Sequence, residues 1–371
     1  MANQFYLWQK ILSRFRLWKS ETQQEPKIKK SFAFIIHPRN PSDASRKYSW
    51  LKALPFPAIN LICRYTPPLV ASEITGVRSY NTEEPIKGWL LICPLTAQQL
   101  VNNRELGKQR IKTTISLAEK LGAQIVGVGA LASSITRGGL DLIDEIKIGI
   151  TNGRTFTVGI SLMGIKEISK IKNINLTEIT MAVVGATGVN GEAMSKLFIN
   201  EGVTKFILVA KNLEELAQLK REMLEINSQL LIEISTEIRS VKNAEIVVVA
   251  TSSPEILIKS EDLKYGAIIY DITQPQNTSP DLAFKRKDLL IIDGGLVRTP
   301  RIDYHFDLGL SPETAFACLA ETMLLAAEGK FDTRLVGKIQ LEKVKEMLTI
   351  AEKYNFTHAP FQSFGKPISL K

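Results

Sequence analysis

A glycine-rich turn between an apolar strand and a helix constrains the fold of this chain more than any other feature. The strand covers residues 178–184, and the helix is predicted from Glu192 to about Asn200. The turn reads Gly185-Ala186-Thr187-Gly188-Val189-Asn190-Gly191, with glycine at its first, fourth and seventh positions. A strand, a turn of this kind and a helix begin a βαβ unit, in which the free N–H groups of the helix N-terminus bind phosphate. The sequence therefore predicts a parallel, helix-covered sheet around this turn.

Each glycine has a separate role in such a turn. Gly185 allows the sharp exit from the strand, Gly188 lets a diphosphate approach the backbone, and Gly191 lets the helix lie close to the sheet. The spacing departs from the strict G-x-G-x-x-G pattern, so the alternative is a turn that serves packing alone. We expect a dinucleotide coenzyme, and its predicted contacts in the turn are Gly185, Ala186, Thr187, Gly188, Val189 and Gly191.

The next strand, at residues 205–210, indicates which coenzyme is bound. NAD-binding sheets usually place an acidic residue after this strand for the ribose 2′-hydroxyl, whereas this chain has Lys211 and Asn212. A carboxylate would repel a 2′-phosphate, and Lys211 would attract it. We therefore expect NADPH, with Lys211 and Asn212 at the 2′-phosphate. The alternative is a solvated lysine beside an NAD site.

Two later strand ends are also expected to contact the coenzyme. Thr251 and Ser252 follow a strand at 245–250, and Gly294 and Gly295 follow a strand at 289–293. Loops at the carboxyl ends of parallel strands are where open α/β sheets bind ligands. We place both pairs at the coenzyme, with the two glycines near the nicotinamide. A hairpin or bulge is the alternative reason for the glycine pair.

The residues before the turn also alternate between strands and helices, which predicts a separate N-terminal α/β domain. Pro55 and Pro57 are expected to end a helix over residues 42–54. Small-residue loops follow the strands at 124–128 and 145–150, and we expect substrate contacts there, with plain turns as the alternative. The candidate substrate residues are Gly129, Ser133, Gly153 and Thr155.

The predicted fold class is therefore α/β with two domains. An N-terminal α/β substrate domain precedes a Rossmann-like, doubly wound NADP-binding domain, and C-terminal helices follow. The expected boundaries are a basic amphipathic extension at 1–30, the substrate domain with a linking helix at 31–172, the coenzyme domain at 173–310 and the C-terminal helices at 311–371.

Positive charge is concentrated at the N-terminus. The 371 residues carry a net charge of +9, and residues 1–30 hold seven basic and two acidic side chains. A nucleic-acid-binding protein spreads its basic surface over the fold, so we expect no nucleic-acid partner. Residues 5–18 place aromatic and basic side chains at helical spacing, which is typical of a helix at a membrane surface; the alternative is a helix packed on protein. No apolar run is long enough to span a bilayer, so we expect a cytoplasmic protein, with peripheral membrane contact through residues 5–18.

The cysteines, at 63, 93 and 318, are few and scattered, and so are the three histidines, so no metal site is expected. Ser311, Pro312 and Glu313 are expected to open the helix that carries Cys318. In such a helix Cys318 lies too far from the N-terminus to feel its dipole. From spacing alone, Cys318 is therefore expected to be a buried core thiol.

One ten-residue segment resembles a known enzyme family. The segment Phe316-Ala317-Cys318-Leu319-Ala320-Glu321-Thr322-Met323-Leu324-Leu325, followed by Glu328-Gly329, strongly resembles the long-chain acyl-[acyl-carrier-protein] reductases known best from cyanobacteria. The runs at 184–188, 208–212 and 293–297 are similar too, and the run at 127–135 more loosely. The resemblance extends over residues 31–356.

The resemblance implies an activity that spacing alone does not. The family reduces fatty acyl thioesters to aldehydes with NADPH. A cysteine at the position of Cys318 attacks the thioester carbonyl, and acyl carrier protein or coenzyme A leaves. The implied partners are acyl carrier protein or acyl-CoA, and whether the aldehyde passes to a downstream aldehyde-using enzyme stays open.

Besides the extension at residues 1–30, the sequence departs from that family in two places. Arg154 stands where the family has asparagine, and residues 32–39 are more similar to non-cyanobacterial relatives described as amino-acid or shikimate-type dehydrogenases. One alternative is therefore an NADP-dependent dehydrogenase of a small hydroxy or amino acid, with Cys318 structural. The other is a membrane-docked NADP-binding module without catalysis.

Overall fold

The first of two large sheets organises the N-terminal residues. The structure is a computed structural model that describes residues 30–253 and 255–370. The strands of this sheet are β1 (Ser31–Ile36), β2 (Leu69–Ile74), β3 (Lys87–Ile92), β4 (Ile125–Val128), β5 (Gly149–Thr151) and β14 (Arg334–Leu335). They lie in the order β14-β5-β4-β1-β3-β2, and only β2 and β3 pair antiparallel. The carboxyl ends of β1, β4 and β5 consequently meet at one edge.

Helices cover this sheet because its strands are apolar on both faces. Along β1, Phe32 and Phe34 belong to one core cluster, and Ala33 and Ile35 belong to the cluster on the other face. The four helices that follow in the chain are α1 (Phe56–Tyr65), α2 (Ala97–Asn102), α3 (Arg104–Lys120) and α4 (Ala130–Ile135).

The predicted helix over residues 42–54 is wrong. Two short 3-10 helices, Pro41–Arg46 and Ser49–Ala53, stand there instead. Pro55 and Pro57 do not end a helix; Pro55 is the N-cap of α1, and Pro57 lies in its first turn. Proline has no N–H to donate, and the first turn of a helix leaves such groups unpaired, so the same residues that end one helix can begin another.

The second sheet is wholly parallel. Its strands are β6 (Thr180–Val184), β7 (Lys205–Val209), β8 (Leu231–Ser235), β9 (Ile246–Val249), β10 (Ile268–Asp271) and β11 (Leu290–Asp293). They lie in the order β11-β10-β9-β6-β7-β8. This is the strand order of a doubly wound dinucleotide-binding sheet, whose crevice opens between β6 and β9. The predicted fold class is confirmed.

One long helix joins the two sheets. The helices after β5 and around the second sheet are α5 (Arg154–Ile171), α6 (Val189–Asn200), α7 (Leu213–Ile226) and α8 (Pro280–Lys285). In α5, Phe156 and Ile160 pack into the core of the first sheet, whereas Val158 and Leu162 pack into that of the second. A helix that is apolar on opposite faces is buried on both, so α5 packs between the two sheets and contributes to both cores.

The C-terminal residues contain more than the predicted helices. They comprise β12 (Leu296–Arg298), β13 (Thr314–Phe316), α9 (Ala317–Ala327), β14, α10 (Leu341–Lys353), β15 (Thr357–His358), β16 (Gln362–Ser363) and β17 (Lys366–Pro367). Strands β13, β12 and β15 form a small antiparallel sheet. Helix α9 packs on β1 and β4, and β14 pairs with β5, so this segment returns to the first sheet. The domain boundaries proposed from the sequence stay predictions.

In the ranges that the structure describes, no helix is long and apolar enough to cross a membrane. The predicted membrane-surface helix at residues 5–18 lies outside the described residues.

Candidate active site

The glycine-rich turn has the geometry that its spacing predicts. Gly185 has a φ of +83° and leaves β6 close to the carbonyl of Ala250, which a Cβ would approach to 2.8 Å. A Cβ on Gly191 would lie 2.2 Å from the carbonyl oxygen of Gly185, so only glycine fits there. Gly188 is the exposed N-cap of α6 and has no side chain over the helix N-terminus. The turn thus leaves the first N–H groups of α6 open to a diphosphate.

The residues after β7 divide into one free cation and one helix cap. Lys211 is exposed, and no ion pair holds it within the described ranges. Asn212 is the N-cap of α7, and its Oδ1 accepts hydrogen bonds from the N–H groups of Glu214 at 2.9 Å and Glu215 at 3.3 Å. Capping of α7 is therefore sufficient to explain an asparagine at position 212. Its role at the coenzyme, like that of Lys211, stays a prediction.

Helix α4, which replaces the loop predicted after β4, meets the loop that follows β9. Thr251 donates its hydroxyl hydrogen bond to Asn277, while Ser252 is exposed. The Ser134 hydroxyl, beside the candidate residue Ser133, donates to the hydroxyl of Ser252 at 3.3 Å. The structure thus brings a predicted substrate loop and a predicted coenzyme loop into contact.

The glycine pair after β11 joins the second sheet to the segment that carries Cys318. A Cβ on Gly294 would lie 2.5 Å from the Tyr270 ring, and Gly295 has a φ of +68°. The carbonyl of Gly295 accepts a hydrogen bond from the N–H of Ala317 at 2.9 Å. Both glycines are buried, and the pair places the start of α9 beside the carboxyl end of β11.

The position of Cys318 in its helix differs from the expectation. Helix α9 begins at Ala317, so Cys318 is its second residue, and Thr314–Phe316 forms β13 instead of a first helical turn. Ser311, Pro312 and Glu313 were expected to begin the helix, but the residues after them pair with β12 as a strand instead. Glu313 also has a φ of +53°, which is incompatible with a right-handed helix. Cys318 consequently lies at the positive end of the helix dipole, where a thiolate is stabilised.

Two backbone loops surround the sulfur of Cys318. A Cβ on Gly129 would approach its Sγ to 3.0 Å, and a Cβ on Gly153 would lie 2.2 Å from its Cβ and 2.3 Å from its Cα. The backbone N–H groups of Ala130, which has a strained φ of +48°, and of Leu319 in α9 lower the pKa of Cys318, because they lie near its sulfur. The structure therefore brings Gly129, Gly153 and Cys318 together.

The ionisation of Cys318 reflects opposing effects. Burial raises the pKa of its thiol to about 12, while the neighbouring backbone N–H groups lower it. Cys318 nonetheless keeps part of its surface open, whereas Cys63 and Cys93 are buried. The thiol is protonated at neutral pH, and its amide neighbours can stabilise the negative charge that develops when it reacts.

The sequence did not single out Glu321, which lies one turn beyond Cys318. Its carboxylate is fully buried and accepts hydrogen bonds from the hydroxyl of Thr151 and, at 2.7 Å, from the N–H of Phe156. Burial raises the pKa of Glu321 to about 7. The signal that could have revealed it is an acid in an otherwise apolar helix, three residues after a cysteine.

The other candidate substrate residues lie on the first turns of α4 and α5. Ser133 and Thr155 are buried, and the Ser133 hydroxyl has no hydrogen-bond partner among the described residues. Arg154 extends its guanidinium towards Gly138, and burial lowers the pKa of Arg154 to about 10. No carboxylate in the described part of the chain pairs with Arg154. No cluster of His, Cys, Asp and Glu in that part could hold a metal ion.

Comparison with known proteins supports a nicotinamide coenzyme and leaves the substrate open. A family described as shikimate / quinate 5-dehydrogenase matches residues 167–293. A long-chain acyl-[acyl-carrier-protein] reductase of Synechococcus elongatus is 27% identical over 77% of this chain and 85% of that protein. The aminotransferase PigE of a Serratia species is 25% identical over 80% of this chain, which spans only 35% of PigE.

Among solved structures, a shikimate 5-dehydrogenase from Listeria monocytogenes is similar over 88% of this chain and 99% of its own, with 11% identity and a TM-score of 0.35. The match to the dehydrogenase family over residues 167–293 confirms the predicted nicotinamide coenzyme. With its parallel sheet, its glycine-rich turn and the family match over β6 to β11, the chain contains a Rossmann-type domain for a nicotinamide coenzyme.

Proposed function

We propose that the protein reduces a long-chain fatty acyl thioester to the aldehyde with NADPH, through an acyl-enzyme on Cys318. The position of that thiol carries the proposal. It lies on the second residue of α9, between the loops that follow β4 and β5. The residue before it is hydrogen-bonded to Gly295, at the end of the coenzyme-binding sheet. A nucleophile at this junction can receive an acyl group from one side and present it to the coenzyme on the other.

The first half of the reaction uses groups of this chain. The Cys318 sulfur attacks the thioester carbonyl carbon, a new C–S bond forms, the substrate's C–S bond breaks, and the thiol proton passes to the leaving thiolate. The N–H groups of Ala130 and Leu319, which lie near the sulfur, are the candidates to bind the carbonyl oxygen as it becomes negative. NADPH, if held by the residues proposed below, would supply a hydride to the acyl carbon. The C–S bond to Cys318 then breaks, the aldehyde leaves, and the Cys318 thiolate takes a proton from water.

The coenzyme phosphates have matching groups on the second sheet. The open N-terminus of α6 suits the diphosphate, and exposed Lys211 suits a 2′-phosphate. Buried Gly294 and Gly295 are the residues proposed to lie near the nicotinamide, with Thr251 and Ser252 on the neighbouring loop.

A loop before Cys318 suits a fatty acyl chain. Residues 301–308 and 310–314 line a cavity of about 510 Å³. Within this loop Ile302, Phe306 and Leu308 are half-buried and pack on the same apolar cluster as Cys318, while the alternate residues are polar and exposed. Burial of a hydrocarbon chain is worth about 0.8 kcal/mol per methylene group, so binding along this loop favours long acyl chains.

The test is NADPH oxidation with acyl thioesters of increasing chain length, with the aldehyde identified and the intact protein weighed. We expect turnover that rises with chain length and an acyl adduct on the wild type. Cys318→Ser should lose adduct and turnover but keep NADPH binding, while Cys63→Ser, which changes a buried thiol of α1, should keep all three. Turnover without an adduct, or in the Cys318→Ser protein, would show that the mechanism is wrong.

A second candidate is an NADP-dependent dehydrogenase of a small hydroxy or amino acid. The specific observation in its favour is Arg154, a largely desolvated guanidinium without a carboxylate partner in the described ranges, which could bind a substrate carboxylate. In that case Arg154→Gln should abolish NADP⁺ reduction by the hydroxy or amino acid, and Cys318→Ser should leave it unchanged.

A further inference from the structure

We propose that Glu321 is a positioning residue, whose carboxylate holds the Gly153 turn against Cys318 and so sets the orientation and reactivity of the thiol. This inference rests on the proposed role of Cys318. It concerns a buried acidic residue that is not among the predicted site residues.

The carboxylate of Glu321 caps a helix other than its own. Phe156 is the third residue of α5, where the N–H groups have no partner within the helix. The N-cap of α5 is Gly153, which has no side chain to accept a hydrogen bond from these groups. Glu321 supplies the missing acceptor from the second turn of α9, at 2.7 Å from the Phe156 nitrogen. The start of α5 therefore depends on a residue 165 positions away in the chain.

The same carboxylate reaches the turn that contacts the thiol-bearing residue. Thr151 donates its hydroxyl to Glu321, and the hydroxyl oxygen accepts the N–H of Gly153 at 3.1 Å. Gly153, with a φ of +71°, lies so close to Cys318 that no Cβ would fit between them. Two consecutive hydrogen bonds therefore connect Glu321 through Thr151 to Gly153, and Gly153 is in direct contact with Cys318. Loss of the carboxylate should release the turn and leave the sulfur less well oriented.

Glu321 also acts on the thiol through its charge. Its negative charge raises the pKa of Cys318, because two like charges are unfavourable at short range. The groups that face the carboxylate from β5 and α5 are a hydroxyl and backbone amides, and Arg154, the cation of the same turn, extends instead towards Gly138. Neutralising Glu321 without removing its hydrogen-bond acceptor should therefore make the thiol easier to ionise.

The experiment measures alkylation of Cys318 in the full-length protein. Iodoacetamide labelling is followed by mass spectrometry of the Cys318 peptide, from neutral to alkaline pH, in the wild type, Glu321→Gln and Glu321→Ala. Glu352→Gln, which removes the same charge from an exposed position of α10, is the matched control. We expect the labelling profile of Glu321→Gln to move to lower pH. In Glu321→Ala we expect the rate of acylation by a fatty acyl thioester to fall by about tenfold or more, with NADPH binding unchanged.

Identical labelling profiles in Glu321→Gln and Glu352→Gln, with undiminished acylation in Glu321→Ala, would overturn the inference. If Glu321→Ala does not fold, Thr151→Val decides the positioning role, because it removes the hydroxyl through which Glu321 reaches Gly153 and should lower acylation in the same way. Labelling does not require the proposed reaction. Absence of acyl adducts in every protein would therefore count against the proposed function, while the labelling profiles would still report on Glu321.

Discussion

Replacement of Gly153 by alanine tests whether the turn really confines Cys318. The residue has a φ of +71°, which costs an alanine roughly 1–2 kcal/mol. The new Cβ would also lie 2.2 Å from the Cβ and 2.3 Å from the Cα of Cys318, and relief of such overpacking costs a further ~1–3 kcal/mol. We therefore expect Gly153→Ala to lower the free energy of unfolding by about 2–5 kcal/mol.

A second glycine of the same conformation separates strain from contact. Gly329, which follows α9, has a φ of +70° and nothing within 4 Å of the position that a Cβ would take. Gly329→Ala should therefore lose only the roughly 1–2 kcal/mol of backbone strain. Urea unfolding of the two variants gives the difference, and acylation of Cys318 by a fatty acyl thioester gives its consequence. We expect acylation to be lost in Gly153→Ala and kept in Gly329→Ala.

The result that would refute this reasoning is equal stability loss in the two variants together with normal acylation of Gly153→Ala. The contact between Gly153 and Cys318 could then be displaced without further loss of stability and without loss of acylation. The turn would not be what orients the sulfur.

Two further predictions concern charge. Lys211→Glu should lower the ratio of kcat/KM for NADPH to that for NADH by about tenfold or more, because a carboxylate repels the 2′-phosphate. Steady-state kinetics with both coenzymes measures this ratio. An unchanged ratio would show that Lys211 does not contact the coenzyme. Burial raises the pKa of Glu321 from 4.5 to about 7, so the folded protein holds this proton more tightly than the unfolded chain does. The wild type should therefore lose up to about 3 kcal/mol of stability relative to Glu321→Gln as the pH rises from below 4.5 to above 7, and parallel stability curves for the two proteins would contradict this.

The sequence was sufficient to predict the structure at places where residues adjacent in the chain determine it. The glycine-rich turn lies between a strand and a helix as predicted, because Gly185 and Gly191 are required by backbone contacts within the turn and its adjoining loop. The parallel sheet around it follows from apolar strands alternating with helices. The same reasoning misread Pro55 and Pro57, because proline is compatible with the outside of a helix end and with its first turn alike.

Chemistry at the candidate site depended on contacts between distant residues. Ser311, Pro312 and Glu313 have the composition of a helix start, but pairing of β13 with β12 moves the start to Ala317. That shift of a few residues changes Cys318 from a thiol inside an apolar helix to one at a helix N-terminus. Strand pairing is a tertiary contact, and a capping signal read from the sequence cannot anticipate it.

The sequence by itself determined the coenzyme turn, the alternation of strands and helices, and the presence of a cysteine in a family-like segment, since each is carried by residues adjacent in the chain. Only the tertiary structure brought Gly129, Gly153 and Glu321 to that cysteine. These residues come from three separate segments, and they meet because β4 and β5 end at one edge of the sheet that α9 covers. Burial at that meeting point, which no local pattern reports, is also what raises the pKa values of Cys318 and Glu321.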